Sequence, residues 1–198
     1  MPGLLTGPVS GFTDRSKGKG VVSNSWLAQI GKSSAQAAGG GNIFSFTPAT
    51  PVANGADTTA DTLAQAILPA NIFDIVGRCV TVQAFGTVSA TSATKTVAFT
   101  FGAGINQSIV QFTTTNGGQW QFYAQIFKTG ANTQTMMIQA DAGGTTASIL
   151  GLTGGRALLI LTATETDTAA ITMKVTGQSS VATAGLVNCA GFICDGYN

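Results

Sequence analysis

A period of two runs through most of this chain, and it decides what the chain can fold into. Lys95–Phe101 shows it most cleanly: Val97, Phe99 and Phe101 fall on one side, Thr96, Ala98 and Thr100 on the other. Side chains that alternate in this way belong on a β-strand with one face in a core. Residues 119–128 repeat the pattern, with Trp120, Phe122, Ala124 and Ile126 opposed to Gln119, Gln121, Tyr123 and Gln125. Residues 62–68, 80–88 and 170–176 alternate as well, and 43–46, 133–141, 156–164 and 181–197 are further strand candidates. Turn signals such as Asn54-Gly55, Asn116-Gly117-Gly118 and Thr129-Gly130 separate them. No segment holds a helical period over three turns.

Strands this numerous, broken by turns about every 8–15 residues, predict an all-β chain folded as an antiparallel β-sandwich. Two sheets then share one core through their inward Val, Phe, Leu and Ile. A jelly roll is the preferred topology. Val97, Phe99, Phe101, Trp120 and Phe122 are expected in the core, with Lys95, Thr96 and Thr100 exposed. The short segment 157–161, Ala-Leu-Leu-Ile-Leu, is apolar on both sides. It lies either centrally under another layer or in a contact between subunits.

The chain has 198 residues, enough for one domain with a full core. Only 9% are charged, against about 25% in a typical soluble domain. That suits a surface largely occupied by other subunits. The net charge of +1 hides an asymmetry. Residues 1–40 carry Arg15, Lys17, Lys19 and Lys32 against Asp14, whereas the remainder has seven acids against five bases. A basic segment ahead of an acidic body marks an interaction tail, but one too weakly charged to argue for nucleic acid.

Residues 1–42 accordingly read as an extended basic arm and 43–198 as the sandwich body. Gly3, Gly7, Pro8, Gly11, Gly18 and Gly20 interrupt regular structure in the arm. Trp26, Leu27 and Ile30 would share one face of a short turn capped by Ser25. Such anchors have no core of their own, so a partner surface must order them. Arg15, Lys17, Lys19, Trp26, Leu27 and Ile30 are the candidate partner-binding residues. At roughly 3.3 Å per residue, about 40 extended residues reach well over 100 Å.

Catalysis is poorly served. There is no His, and Glu165 is the sole Glu; general acid–base work falls mostly to His, Glu, Asp or Lys. The acid pairs Asp57/Asp61 and Glu165/Asp167 lie in Thr-rich turns, where solvated carboxylates are a better reading than a cation site. Cys79, Cys189 and Cys194 show no metal spacing and are expected to be buried free thiols. Asn106-Gln107-Ser108 matches a glycosylation sequon, read as accidental. Tyr123 and Phe127 fall opposite Trp120 and Phe122 and are candidates for an interface or ligand patch. No charged-then-apolar leader opens the sequence and no run approaches a membrane span. The expectation is therefore no enzyme, no cofactor or metal, and no membrane partner.

Residues 58–102, TTADTLAQAILPANIFDIVGRCVTVQAFGTVSATSATKTVAFTFG, carry a further signal. The elements T-L-A-x-x-x-L-P-A-N (62–71), G-R-x-V-x-V-x-A-x-G (77–86) and K-T-V-x-F-x-F-G (95–102) resemble structural proteins of tailed bacteriophages. The resemblance is to head decoration or cement proteins and to tail-fibre or spike modules. Gly118-Gln119-Trp120 and residues 124–135 continue it, over about half the chain. It implies a jelly-roll-like sandwich that commonly trimerises, and brings no catalytic residues. Of the two roles, cementing a capsid suits the arm better. The expectation is a homotrimeric decoration protein on the capsid exterior, assembled in the host cytoplasm and bound to the major capsid protein. A tail-fibre or spike module binding a host receptor or glycan is the alternative; it would normally show a repetitive or coiled-coil shaft, which is lacking here.

Overall fold

The alternation translates directly into strands. The structure, a computed structural model, describes residues 41–46, 50–113, 115, 117–143, 147–153 and 156–197. The arm expected over 1–42 therefore lies outside the described residues, save its last two, which already belong to the first strand. In chain order the strands are β1 (Gly41–Phe46), β2 (Val52–Ala53), β3 (Asp61–Leu68), β4 (Cys79–Val88), β5 (Lys95–Phe101), β6 (Ile105–Phe112), β7 (Gly118–Gly130), β8 (Thr133–Gly143), β9 (Ala147–Ile149), β10 (Leu152–Thr153), β11 (Arg156–Ala163), β12 (Ile171–Ser179) and β13 (Val187–Tyr197). They form two antiparallel sheets. The front sheet runs β1-β13-β4-β7-β8-β11, with β2 also paired to β13; the back sheet runs β10-β9-β6-β5-β12-β3.

Within these sheets, β1, β13, β4 and β7 oppose β3, β12, β5 and β6. The chain crosses between sheets so that its last strand lies between the first and the fourth. This is the strand order of a jelly roll. The segment β8–β11 is inserted before the final crossover, and widens both sheets at one side.

The inward faces meet through aromatics. Phe99 of β5 and Phe122 of β7 approach from opposite sheets, with ring centroids 5.2 Å apart. Trp120 stacks on Phe122, and Phe73 meets Phe101 edge-on. Val97, Phe99, Phe101, Trp120 and Phe122 are all buried, as expected. Gly86 lies opposite Trp120 in the β4–β7 pairing. A Cβ there would sit 1.9 Å from the Asn188 carbonyl oxygen and 2.6 Å from the indole, so the close approach admits only glycine.

Several expectations need correcting. Lys95 is fully buried rather than exposed. Its position is in phase with Val97 and Phe99, so it points inward with them. The ammonium is tolerated because Nζ donates to the carbonyl oxygens of Ser89 (3.1 Å) and Thr91 (2.8 Å), in the loop that precedes the strand. Burial pushes its pKa down. Thr96 and Thr100 are half-buried, not exposed.

β6 shows no strand alternation in the sequence because its phase breaks. A bulge opposite Val97/Ala98 leaves Ile109 and Val110 both buried, and Asn106-Gln107-Ser108 gives its first half no apolar face. A similar slip opposite Val175/Thr176 buries Leu63 and Ala64 together in β3. The turn at Asn54 is not a surface feature. Its buried side chain accepts from the Leu186 and Val187 amides, both at 2.8 Å, and donates to the Gly55 and Thr183 carbonyls, tying β2 to the start of β13.

Candidate functional site

Two places on the body gather polar or exposed chemistry. The first is the end of the sandwich where Glu165 and Asp167 lie, between β11 and β12. Glu165 Oε1 accepts from the Gly104 amide at 2.7 Å. A Cβ on Gly102, which has φ of 58°, would collide with the same carboxylate. Asp167 accepts from the Lys128 ammonium, from the Asn132 amide (2.7 Å) and from Gln134 Nε2 (3.1 Å). Burial pushes the Asp167 carboxyl up, but these hydrogen bonds and the Lys128 charge outweigh it and hold the pKa below the usual value. Gln134 in turn bonds the Glu165 backbone at both its oxygen and its nitrogen.

The carboxylates here are spent on holding the loop in place, Asp167 on the β7–β8 hairpin and Glu165 on the β5–β6 turn. Asp57 and Asp61 act in the same way: Asp57 takes the Thr59 hydroxyl and amide, and Asp61 the Gly55 amide. Among the described residues, no three His, Cys, Asp or Glu side chains converge as metal ligands would.

The second place is the outer face of the front sheet. Alternation sends every second residue of β4, β7, β8 and β11 outward, and the strand registers align them in rows. Phe85 (β4) faces Gln121 (β7), which faces Asp141 (β8), which faces Arg156 (β11). The next row is Gln83, Tyr123, Gln139 and Leu158; the one after is Thr81, Gln125, Met137 and Ile160. The face is thus built from amides, hydroxyls and apolar groups. Asp141 and Arg156 pair with each other at 3.3 Å.

At the far side the sheet ends in β11, which among the described residues pairs only with β8. Its outward Leu158 and Ile160 are 55% and 65% exposed. Of the two positions open to segment 157–161, the structure therefore rejects the central one. β11 is an edge. Tyr123 is half-buried on this face and Phe127 partly exposed, opposite the buried Trp120 and Phe122 as the alternation required. Sequence reasoning missed Phe85, although its odd position among the buried Val80, Val82 and Ala84 already placed it outward.

All three cysteines are free thiols, with Cys189 and Cys194 buried and Cys79 half-buried. Arg15, Lys17, Lys19, Trp26, Leu27 and Ile30, the expected partner-binding residues, lie outside the described residues. No helix among the described residues is long and apolar enough to cross a membrane.

No protein-family model and no curated protein sequence matches this chain. Among solved structures, a chain in a structure of infectious bursal disease virus, Gx strain, is similar at 13% identity with a TM-score of 0.30. The match covers 80% of this chain and 42% of that one.

Proposed function

We propose that this chain is a structural protein of a virus particle, a decoration protein that cements a tailed-phage head by binding its major capsid protein. The observation that carries the reading is the front sheet's outer face. It is broad and nearly free of charge, and it ends in an edge strand with two exposed branched aliphatics. A long apolar edge with unpaired backbone groups is a template for another chain, and monomeric proteins normally blunt such edges with Lys, Pro or a covering loop. The described part of the chain leaves this one open. A protein that works inside an assembly has a use for it.

The low overall charge, the basic arm with its Trp26 anchor, and the resemblance of residues 58–102 to phage structural proteins support the same reading. In it the body assembles as a homotrimer. Arg15, Lys17 and Lys19 meet acidic patches on the capsid, and no catalysis, cofactor or nucleic acid is involved. Density or label on the outer capsid shell of a purified particle is the expected result; label confined to the tail tip would replace cementing with receptor binding.

The homotrimer has its own test. Wild-type protein at micromolar concentration should sediment as a trimer. Ile160→Lys places a charge at the centre of the apolar edge, and should shift the protein to monomer with its fold and unfolding midpoint nearly unchanged. A trimer indifferent to Ile160→Lys would move the interface elsewhere.

A further inference from the structure

The outer face holds an open groove of about 370 Å³. It spans β13, β4, β7 and β8, and is lined by Phe85, Thr87, Gln119, Gln121 and Asp141 among others; neither Leu158 nor Ile160 lines it. Its floor is set by a β-bulge. The β13–β4 register shifts between Cys189 and Gly191, and Gly191 comes to lie opposite Phe85. A Cβ on Gly191 would approach two Phe85 ring carbons to 2.5 Å. The ring therefore rests against backbone that carries no side chain and is backed on that side. It is 40% exposed on the other. An aromatic ring fixed by backbone loses little freedom when something stacks on it.

Beside the ring stands a pre-ordered polar row. Gln121 Nε2 donates to Asp141 Oδ2 at 3.3 Å, and Asp141 Oδ1 takes Arg156 Nε at 3.3 Å. Gln119 and Thr87 face each other one step along the sheet. A ligand here meets one apolar plane, two amides, a hydroxyl and a carboxylate. The one charged residue in the lining is the carboxylate of Asp141, and Arg156 does not line the groove, which disfavours a phosphate or a carboxylate. Of the two aromatics in the lining only Phe85 is exposed, Trp120 being buried, which gives too little apolar wall for a lipid. The set suits a small neutral polyol with one C–H-rich face and several hydroxyls, and the volume is at the low end for ligand sites, where about 300–1,000 Å³ is usual.

We propose that this groove binds a neutral saccharide of one or two rings. The pyranose C–H face stacks on Phe85, and its hydroxyls bond to Gln119, Gln121 and Asp141. The inference goes beyond the decoration role and does not depend on it, because attachment was assigned to the arm and trimerisation to β11.

Saturation-transfer NMR on the full chain tests it, with glucose, galactose, rhamnose, N-acetylglucosamine, maltose and lactose as probes at millimolar concentration. At least one should receive saturation at its ring protons. Phe85→Ala, compared at a temperature well below its own unfolding midpoint so that lost packing on Gly191 is not read as lost binding, should weaken that binding at least tenfold, and Asp141→Asn should weaken it several-fold. No transfer to any of the six sugars, or transfer undiminished in Phe85→Ala, would overturn the proposal. Capsid binding by the same preparations, measured in parallel, reports on the decoration role separately.

Discussion

Phe99→Ala should destabilise the body by about 3–5 kcal/mol. Phe99 sits mid-strand in β5, between β6 and β12, with no exposed surface. Its ring spans the gap between the sheets to reach Phe122. Truncation removes the buried ring and leaves a cavity that strands held on both sides cannot collapse to fill. Domains of this size have total stabilities of about 5–15 kcal/mol, so about a fifth or more is at stake. In a thermal melt the loss should appear as a fall of about 6–20 °C. In denaturant the midpoint should fall at unchanged slope. A midpoint within error of wild type would mean that β5 presents its other face to the core.

Stability should also collapse at alkaline pH, beginning near pH 9. Burial pushes the Cys189 thiol up to about 11. Burial, with the Asp195 charge beside it, pushes Cys194 up to about 12. An unfolded thiol ionises near 9. Both thiols have folded values above their unfolded ones, so their contribution is fully present below pH 9 and is lost as pH rises through 11 to 12. Each costs roughly 1.4 kcal/mol per pH unit over its window. Lys95 acts in the opposite sense, since its lowered pKa favours folding as pH rises toward 10.5, and it offsets part of the loss. Under reducing conditions, the double variant Cys189→Ala, Cys194→Ala should start less stable at pH 8, yet fall much less between pH 9 and 11. Parallel pH profiles for the two proteins would contradict this.

The fold was legible wherever alternation ran unbroken. β5, β7 and β12 could be read from their apolar positions alone, because each keeps one face in the core from end to end. Legibility failed at the bulges. Ile109 and Leu63 each sit where a strand slips by one residue, which merges two faces in the sequence pattern. Lys95 was misplaced by chemistry overriding phase: its charge argued for solvent, while the Ser89 and Thr91 carbonyls made burial affordable.

The candidate site was half legible. That Tyr123 and Phe127 face away from the core follows from residues 119–128 by themselves. That Phe85, Gln121, Asp141 and Arg156 form a row does not, because adjacency of β4, β7, β8 and β11 is a matter of strand order. The seat of Phe85 on Gly191 joins residues more than a hundred positions apart, through a bulge that leaves no local sequence mark.

The attachment role of the arm is the central claim, and pelleting with capsids tests it most directly. Particles lacking this protein are mixed with the full chain or with residues 41–198, which contain the whole described core, and then sedimented. The account predicts that the full chain pellets with the capsids and the truncated chain stays in the supernatant. Arg15, Lys17 and Lys19 changed together to Ala should weaken binding most at low ionic strength, where exposed charges are least screened. Full-strength pelleting of residues 41–198 would contradict the arm's role, and failure of the full chain to pellet would contradict the decoration function itself.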